Sequence, residues 1–193
     1  MTLLAYQLSI TDITAHLVAV ELRFTPQSSD SIQLSLPSWI PGSYMVRDFA
    51  KHLHSIEAFD DAGALTLLQL DKQSWQLNHN QQALTLRYKV YAFDLSVRGC
   101  YLDDQLAILN PAALCLEVKG MESAPVTLNV IAPEFLDWQV ATGLTRGRTT
   151  QPLHFGLYHA DNYQQLIDSP LRLGKLDIAE FDVCGVPHYL VLA

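Results

Sequence analysis

The sequence predicts an all-β protein, an antiparallel β-sandwich or curved multi-strand sheet with one short helix near the C-terminus. Apolar residues recur with period two along several runs. Turn residues punctuate those runs, and a single stretch carries both a helix cap and a helix stop.

The elements follow in chain order. His16, Val18, Val20, Leu22 and Phe24 fall on one face of an extended segment, with Glu21 and Arg23 on the other. Ile32, Leu34 and Leu36 alternate with Ser31, Gln33 and Ser35, and Leu84, Leu86, Tyr88 and Val90 alternate with Thr85, Arg87 and Lys89. Successive strand side chains point to opposite faces, so each run reads as a half-buried strand. Asp60-Asp61-Ala62-Gly63, Asn78-His79-Asn80, Ala124-Pro125 and Ala132-Pro133 supply the turns. Asp161 is placed to cap a helix over 162–167, with Gln164 in a capping-box position and Pro170 as the stop. Lys175–Phe181 and Val186–Leu192 read as a hairpin around Cys184-Gly185. Its second strand runs apolar to Ala193, and a domain rarely closes on an unpaired apolar edge. The expectation is a piece of a longer protein, with 1–174 as a β-domain and 175–193 as the start of another.

Length and composition narrow the class. At about 150 residues per domain, 193 residues make one domain and the beginning of a second. Hydrophobic residues at 49% against 17% charged exclude a disordered chain. A net charge of −8 argues against nucleic acid or an anionic membrane, since either needs a basic stripe. Cys100, Cys115 and Cys184 are odd in number and lack C-x-x-C spacing, which suits reduced thiols in the cytoplasm.

Familiar chemistry is mostly missing. None of the histidines is followed by Glu, so the His-Glu-x-x-His helix of zinc peptidases is absent, as are a G-x-S-x-G elbow and a P-loop. The metal candidate is His52-x-His54 with Glu57, because two-residue spacing on a strand aims both imidazoles the same way. Cupins, small metal-binding β-barrels, resemble this in part but carry a second, Pro-x-Gly-led motif that has no counterpart here.

The densest stretch runs from Leu36 to Leu53 and contains Pro37, Trp39, Pro41-Gly42, Tyr44, Arg47-Asp48 and Phe49. Proline presets φ and glycine accepts φ > 0, so Pro41-Gly42 makes a tight turn. The result is a rigid corner with an aromatic wall, equally fit to be a structural device or a ligand surface.

Trp39-x-Pro41-Gly42-Ser43-Tyr44-x-x-Arg47-Asp48-Phe49-Ala50 resembles the N-terminal signature of the glycyl aminopeptidase-like zinc metallopeptidases. Val97-Arg98-x-x-Tyr101-Leu102-Asp103, Asn110, Trp138-x-Val140-Ala141-Thr142-x-Leu144 and Asp161-x-Tyr163-x-x-Leu166-x-Asp168-Ser169-Pro170 resemble further blocks of that family, in its order. Gly185-Val186-Pro187-His188 is similar to the start of its catalytic domain. The resemblance implies a β-rich N-terminal domain ahead of a thermolysin-like zinc domain and a PDZ domain. It implies removal of small N-terminal residues, glycine or alanine, with zinc polarising the scissile carbonyl. By resemblance the zinc ligands lie downstream, so this chain holds neither catalytic residue nor metal and is expected to be inactive alone. Its partners would be its own catalytic domain and a peptide.

An aminopeptidase must hold a free α-ammonium, which needs carboxylates. The candidates within the matched blocks are Asp48, Asp103, Asp104 and Asp168, with Tyr44 and Tyr101 lining the cleft and Arg47 orienting Asp48. Two other readings stay open: a free-standing module binding peptide or sugar through Trp39 and Tyr44, and a small β-barrel metalloenzyme using His52, His54 and Glu57. An apolar domain interface left bare would favour homo-oligomers.

Overall fold

The computed structural model describes residues 3–27, 31–134 and 136–192. Ala193, where the terminal apolar run closes, lies outside them, as do Met1 and Thr2. In chain order the elements are β1 (Leu4–Asp12), β2 (Leu17–Phe24), β3 (Ser31–Ser35), a 3-10 turn (Phe49–His52), β4 (Leu53–Asp60), β5 (Gly63–Leu65), β6 (Leu67–Gln69) and β7 (Ser74–Asn78). There follow β8 (Leu84–Tyr91), β9 (Tyr101–Leu102), β10 (Leu106–Leu109), α1 (Pro111–Leu114), β11 (Glu117–Val118), β12 (Val126–Val130) and β13 (Gln139–Thr142). The chain continues through β14 (Thr145–Arg146), β15 (Gly156–Ala160), α2 (Tyr163–Ile167), β16 (Leu171–Gly174), β17 (Asp177–Val183) and β18 (Val186–Leu192).

The main sheet has the order β14-β15-β12-β1-β2-β8-β4-β5. Two four-stranded sheets, β13-β16-β10-β9 and β11-β3-β7-β6, and the β17-β18 hairpin complete the set. Alternation drives the layering. Val18, Val20, Leu22 and Phe24 of β2 are buried, as are Leu84, Leu86, Tyr88 and Val90 of β8 and Ile32 and Leu34 of β3. These side chains join one continuous apolar cluster that draws on all three larger sheets. Each such side chain contributes about 1.5–3 kcal/mol on leaving water. Among the described residues one pairing is parallel: β1 runs beside β12, from Leu4 opposite Val126 to Leu8 opposite Val130.

The all-β prediction holds, and α2 stands near the predicted helix. Its cap differs by one residue. Asn162, in extended backbone, accepts from the Gln165 amide (2.9 Å), and the Gln165 side chain accepts from the Asp161 amide (2.6 Å). The cap is therefore shifted one residue along, with the Gln165 side chain reaching back to the residue before the cap in a variant of the capping box, and Gln164 takes no part in it. A second helix, α1, carries no amphipathic pattern because all of its residues are buried. Asn110 caps it by accepting from the Ala112 amide (3.1 Å), and Pro111 opens it, where no N–H is missed.

Behind α1 the chain crosses the core without regular structure. Leu114, Cys115 and Leu116 are fully buried, yet their carbonyls are satisfied. The hydroxyls of Tyr88, Tyr163 and Tyr6 donate to the carbonyls of Leu114 (2.7 Å), Cys115 (2.8 Å) and Leu116 (2.6 Å), respectively. Tyr88 Oη also accepts from the Leu116 amide (3.2 Å). Burial raises the phenol pKa of all three, so they stay neutral donors.

The last hairpin forms as predicted, with Asp177 rather than Lys175 as its first residue. Cys184 and Gly185 both have positive φ (54° and 80°), the geometry of a two-residue hairpin turn. Phe181, Tyr189, Leu190 and Leu192 remain exposed on it.

Candidate functional site

The proline-rich corner folds on itself. The Ser43 amide donates to the Ile40 carbonyl (3.1 Å), closing the turn, and Gly42 takes φ +76° at its third position. Trp39 Nε1 donates to the Ser43 carbonyl (2.8 Å), and the Ser43 hydroxyl donates to the Met45 carbonyl (2.8 Å). Tyr44, Met45 and Val46 are left pointing to solvent.

A second loop, 94–99, braces this corner. Asp94 Oδ1 accepts from the Ser96 amide (2.8 Å), and the Gly99 amide donates to the Ser96 carbonyl (3.0 Å). A Cβ on Gly99 would sit 2.7 Å from Asp94 Cγ, so only glycine permits this closeness. From the loop Arg98 reaches the corner, its Nη2 donating to the Gly42 carbonyl (2.8 Å). The Arg98 carbonyl in turn accepts from Asn110 Nδ2 (3.2 Å).

Two recesses flank the loop. On one side a cleft of about 250 Å³ is walled by Ile40 and Pro41 of the corner, Val97 and Arg98 of the loop, Asn110, and Gln164, Ile167 and Asp168 of α2 and its end. Segments far apart in sequence thus converge on one opening. On the other side a smaller polar pocket holds Arg47, Asp48, His52, Asp94 and Cys100. His52 Nε2 is buried there with no hydrogen-bond partner. Burial, reinforced by Lys51, lowers the His52 pKa, with Asp94 acting in the opposite direction.

A family profile for the peptidase M61 N-terminal domain matches residues 5–175. The chain belongs to the M61 peptidase family. No curated protein matches it. Among solved structures it is similar to an aminopeptidase N family protein from Idiomarina loihiensis, with 41% identity and a TM-score of 0.93. That match covers 97% of this chain and 32% of the relative, so the chain spans about a third of that protein's length. The M1 zinc metallopeptidase from Deinococcus radiodurans shares the fold at 14% identity and a TM-score of 0.54, over 93% of this chain and 43% of its own. A mutant of that enzyme bound to a Tyr-Ser-Ala substrate aligns with a TM-score of 0.51 at 12% identity, over 98% of this chain and 46% of its own.

In this M61 domain the predicted site residues separate into four groups. Asp168 lines the cleft, where α2 ends. Arg47 and Asp48 line the smaller pocket, and Asp48 forms an ion pair with Lys72. Tyr101 and Asp103 meet each other: the Tyr101 hydroxyl donates to Asp103 Oδ2 (2.8 Å) while Oδ1 accepts from the Gln105 and Leu106 amides (2.8 and 2.9 Å). That hydrogen bond raises the Tyr101 pKa. Desolvation of Asp103 opposes ionisation, yet the Leu106 and Gln105 amides and the Tyr101 hydroxyl hold its carboxyl below the usual range. Asp103 is therefore occupied in the turn between β9 and β10. Asp104 and Tyr44 stand in solvent.

The M61 domain does not bring His52, His54 and Glu57 together on one strand face. His52 closes the 3-10 turn, β4 starts after it, and its register with β8 slips between His54 and Glu57, where Ser55 has φ +54°. Among the described residues no group of three or more His, Cys, Asp or Glu could hold a metal. Zinc therefore has no fitting donor set among the described residues, and no chemical step through it is assigned to this chain. Cys100 is buried, and desolvation pushes its thiol up to about 12, which leaves no thiolate nucleophile.

Sequence reasoning left Arg98, Asn110 and Gln164 out of the site. Arg98 was visible as the single charged residue between Ser96 and Leu102, inside a family-like block. Gln164 was assigned to capping, a role Gln165 performs.

Proposed function

We propose that this chain is the non-catalytic N-terminal domain of a zinc-dependent aminopeptidase that removes small N-terminal residues, glycine or alanine, from peptides. The observation that carries this reading is the family match over residues 5–175, in a chain that aligns with about a third of a longer aminopeptidase N family protein. Residues 1–174 form the β-domain, and 175–193 begin the catalytic domain, which brings the zinc and is followed by a PDZ domain. Its own catalytic domain is then the main partner, the apolar residues exposed on β17-β18 are its contact surface, and homo-oligomers form where that surface is bare. Tyr44, Arg47, Asp48, Tyr101, Asp103, Asp104 and Asp168 are the substrate-side candidates. The enzyme is placed in the cytoplasm, in keeping with three free cysteines. Among the described residues no helix is long and apolar enough to cross a membrane.

The test is an assay of the protein translated from the complete reading frame, with glycine and alanine p-nitroanilides as substrates. Chelator-sensitive release of p-nitroaniline is expected, with none from the 193-residue chain. Inactivity of the complete product on both substrates refutes the reading. The half-exposed Trp39 and fully exposed Tyr44 favour a second reading, a free-standing module for peptide or sugar. A stop codon directly after codon 193 would select it.

A further inference from the structure

The cleft between the corner, the 94–99 loop and α2 contains one cation and one anion that are not paired with each other. Among the described residues the ion pairs are Arg23–Glu21, Lys72–Asp48, Arg87–Glu21 and Lys119–Glu117. Arg98 and Asp168 appear in none of them, although both line the same opening. We propose that this cleft binds a short peptide with both termini free, Arg98 taking the carboxylate and Asp168 the α-ammonium.

The Arg98 guanidinium is held in advance. One of its nitrogens donates to the Gly42 carbonyl (2.8 Å), its own carbonyl is held by Asn110, and the close packing of Gly99 on Asp94 fixes the loop beneath it. A guanidinium anchored through one N–H keeps further donors in its planar fork, which match a carboxylate in two-point contact. Asp168 supplies the opposite chemistry. An ionised carboxyl only accepts, and an ammonium only donates. Of the other acid candidates, Asp48 is engaged with Lys72 and Asp103 with its turn, and Asp104 stands in solvent away from the cleft lining.

Size and lining fix the ligand class. The volume of about 250 Å³ lies just below the roughly 300–1,000 Å³ of drug-sized clefts, so the occupant is small. Ile40 and Ile167 give the cleft an apolar lining, with the exposed Val97 at its rim, and the Gln164 amide lines the same opening, placed to pair with a peptide bond. A zwitterion satisfies both charged ends at once, whereas a blocked or long peptide leaves one of them unpaired in the cleft.

The ligand class rests on the peptidase reading, but the test needs no catalysis. Triglycine, its N-acetyl form and its C-terminal amide are titrated into the 193-residue chain, followed by amide NMR shifts. Triglycine is expected to give saturable shifts at Val97–Gly99 and over 164–168. Acetylation and amidation should each weaken binding about tenfold or more, the range of one charged hydrogen bond. Arg98→Met should abolish discrimination between acid and amide while keeping discrimination against the acetyl form. Asp168→Asn, at an exposed helix end, should do the reverse and serves as the second variant if Arg98→Met loosens its loop. Absence of saturable shifts, shifts confined to other surfaces, or equal binding of acid and amide overturns the proposal. Peptide binding with an inactive complete protein would refute the peptidase reading alone, whereas activity without binding here would refute this site alone.

Discussion

Replacing Tyr88 with Phe tests how the buried crossing after α1 is held. The change removes one oxygen and keeps the ring, so packing of β8 against the core is preserved. Two backbone groups lose their partner together: the Leu114 carbonyl, which accepts from the hydroxyl at 2.7 Å, and the Leu116 amide, which donates to it at 3.2 Å. Both residues are inaccessible to water. A buried polar group left unsatisfied costs about 1–3 kcal/mol, so two give about 2–6 kcal/mol before relaxation, and about 3 kcal/mol is expected. Tyr6→Phe and Tyr163→Phe each strand one carbonyl, and about 1–2 kcal/mol is expected for each. Urea unfolding followed by far-UV circular dichroism reads all three. With a slope of about 2–3 kcal/mol/M, Tyr88→Phe should lower the midpoint by about 1 M, roughly twice the shift of the other two. A loss below about 0.5 kcal/mol, or one no larger than that of Tyr163→Phe, would refute the claim that these hydroxyls carry the crossing.

Gly99→Ala places a methyl 2.7 Å from Asp94 Cγ and 2.8 Å from its carbonyl, so about 1–3 kcal/mol should be lost by thermal unfolding; an unchanged melting temperature would contradict the packing described. Asn110→Ala removes the α1 cap and the hold on the Arg98 carbonyl, for an expected loss of about 1–2 kcal/mol in the same urea assay. Burial lowers the His52 pKa in the folded chain. As pH falls through the unfolded value of about 6.5, the unfolded state takes up a proton that the folded state resists, and stability falls. His52→Gln should flatten that decline between about pH 7 and pH 5, and an identical slope in the variant would rule His52 out as its source. An aromatic disulfide reagent should label Cys184 in the native chain, while Cys100 and Cys115, buried and with raised thiol pKa, should react only on unfolding.

What the sequence revealed depended on whether a residue's environment repeats. β2, β3 and β8 each have one buried and one open face, so their alternation was legible at Val18, Leu34 and Leu86. α1 was not legible, since a helix buried on every side has no polar stripe to set its period. The corner was legible as a turn because Pro41-Gly42 carries its own backbone geometry. Its closure by Arg98 was not, because no local rule connects positions 42 and 98. The same holds for the cleft. Asp168 was visible as an acid beside a helix stop, but its sharing a cleft with Arg98 comes from how sheets and loops stack. The shifted cap has a local cause: adjacent Asp161 and Asn162 are both competent caps, and the backbone chose the second.

The parallel seam between β1 and β12 also bears on how the chain can be assembled. β1 sits inside the main sheet, with β2 on one side and β12 on the other. The half-sheet β1-β2-β8-β4-β5 needs only the first part of the chain, whereas β12, β15 and β14 attach through an edge of β1 that stays bare until they arrive. Such non-local closure is slow compared with hairpin formation, and the waiting edge is exposed to aggregation. On the ribosome this domain would be vulnerable during the synthesis of residues 92–125, after that half-sheet is complete and before its N-terminal strand finds its second neighbour. Nascent chains halted in that interval should bind chaperones more strongly than chains halted beyond β15, and equal binding would show that the seam imposes no order.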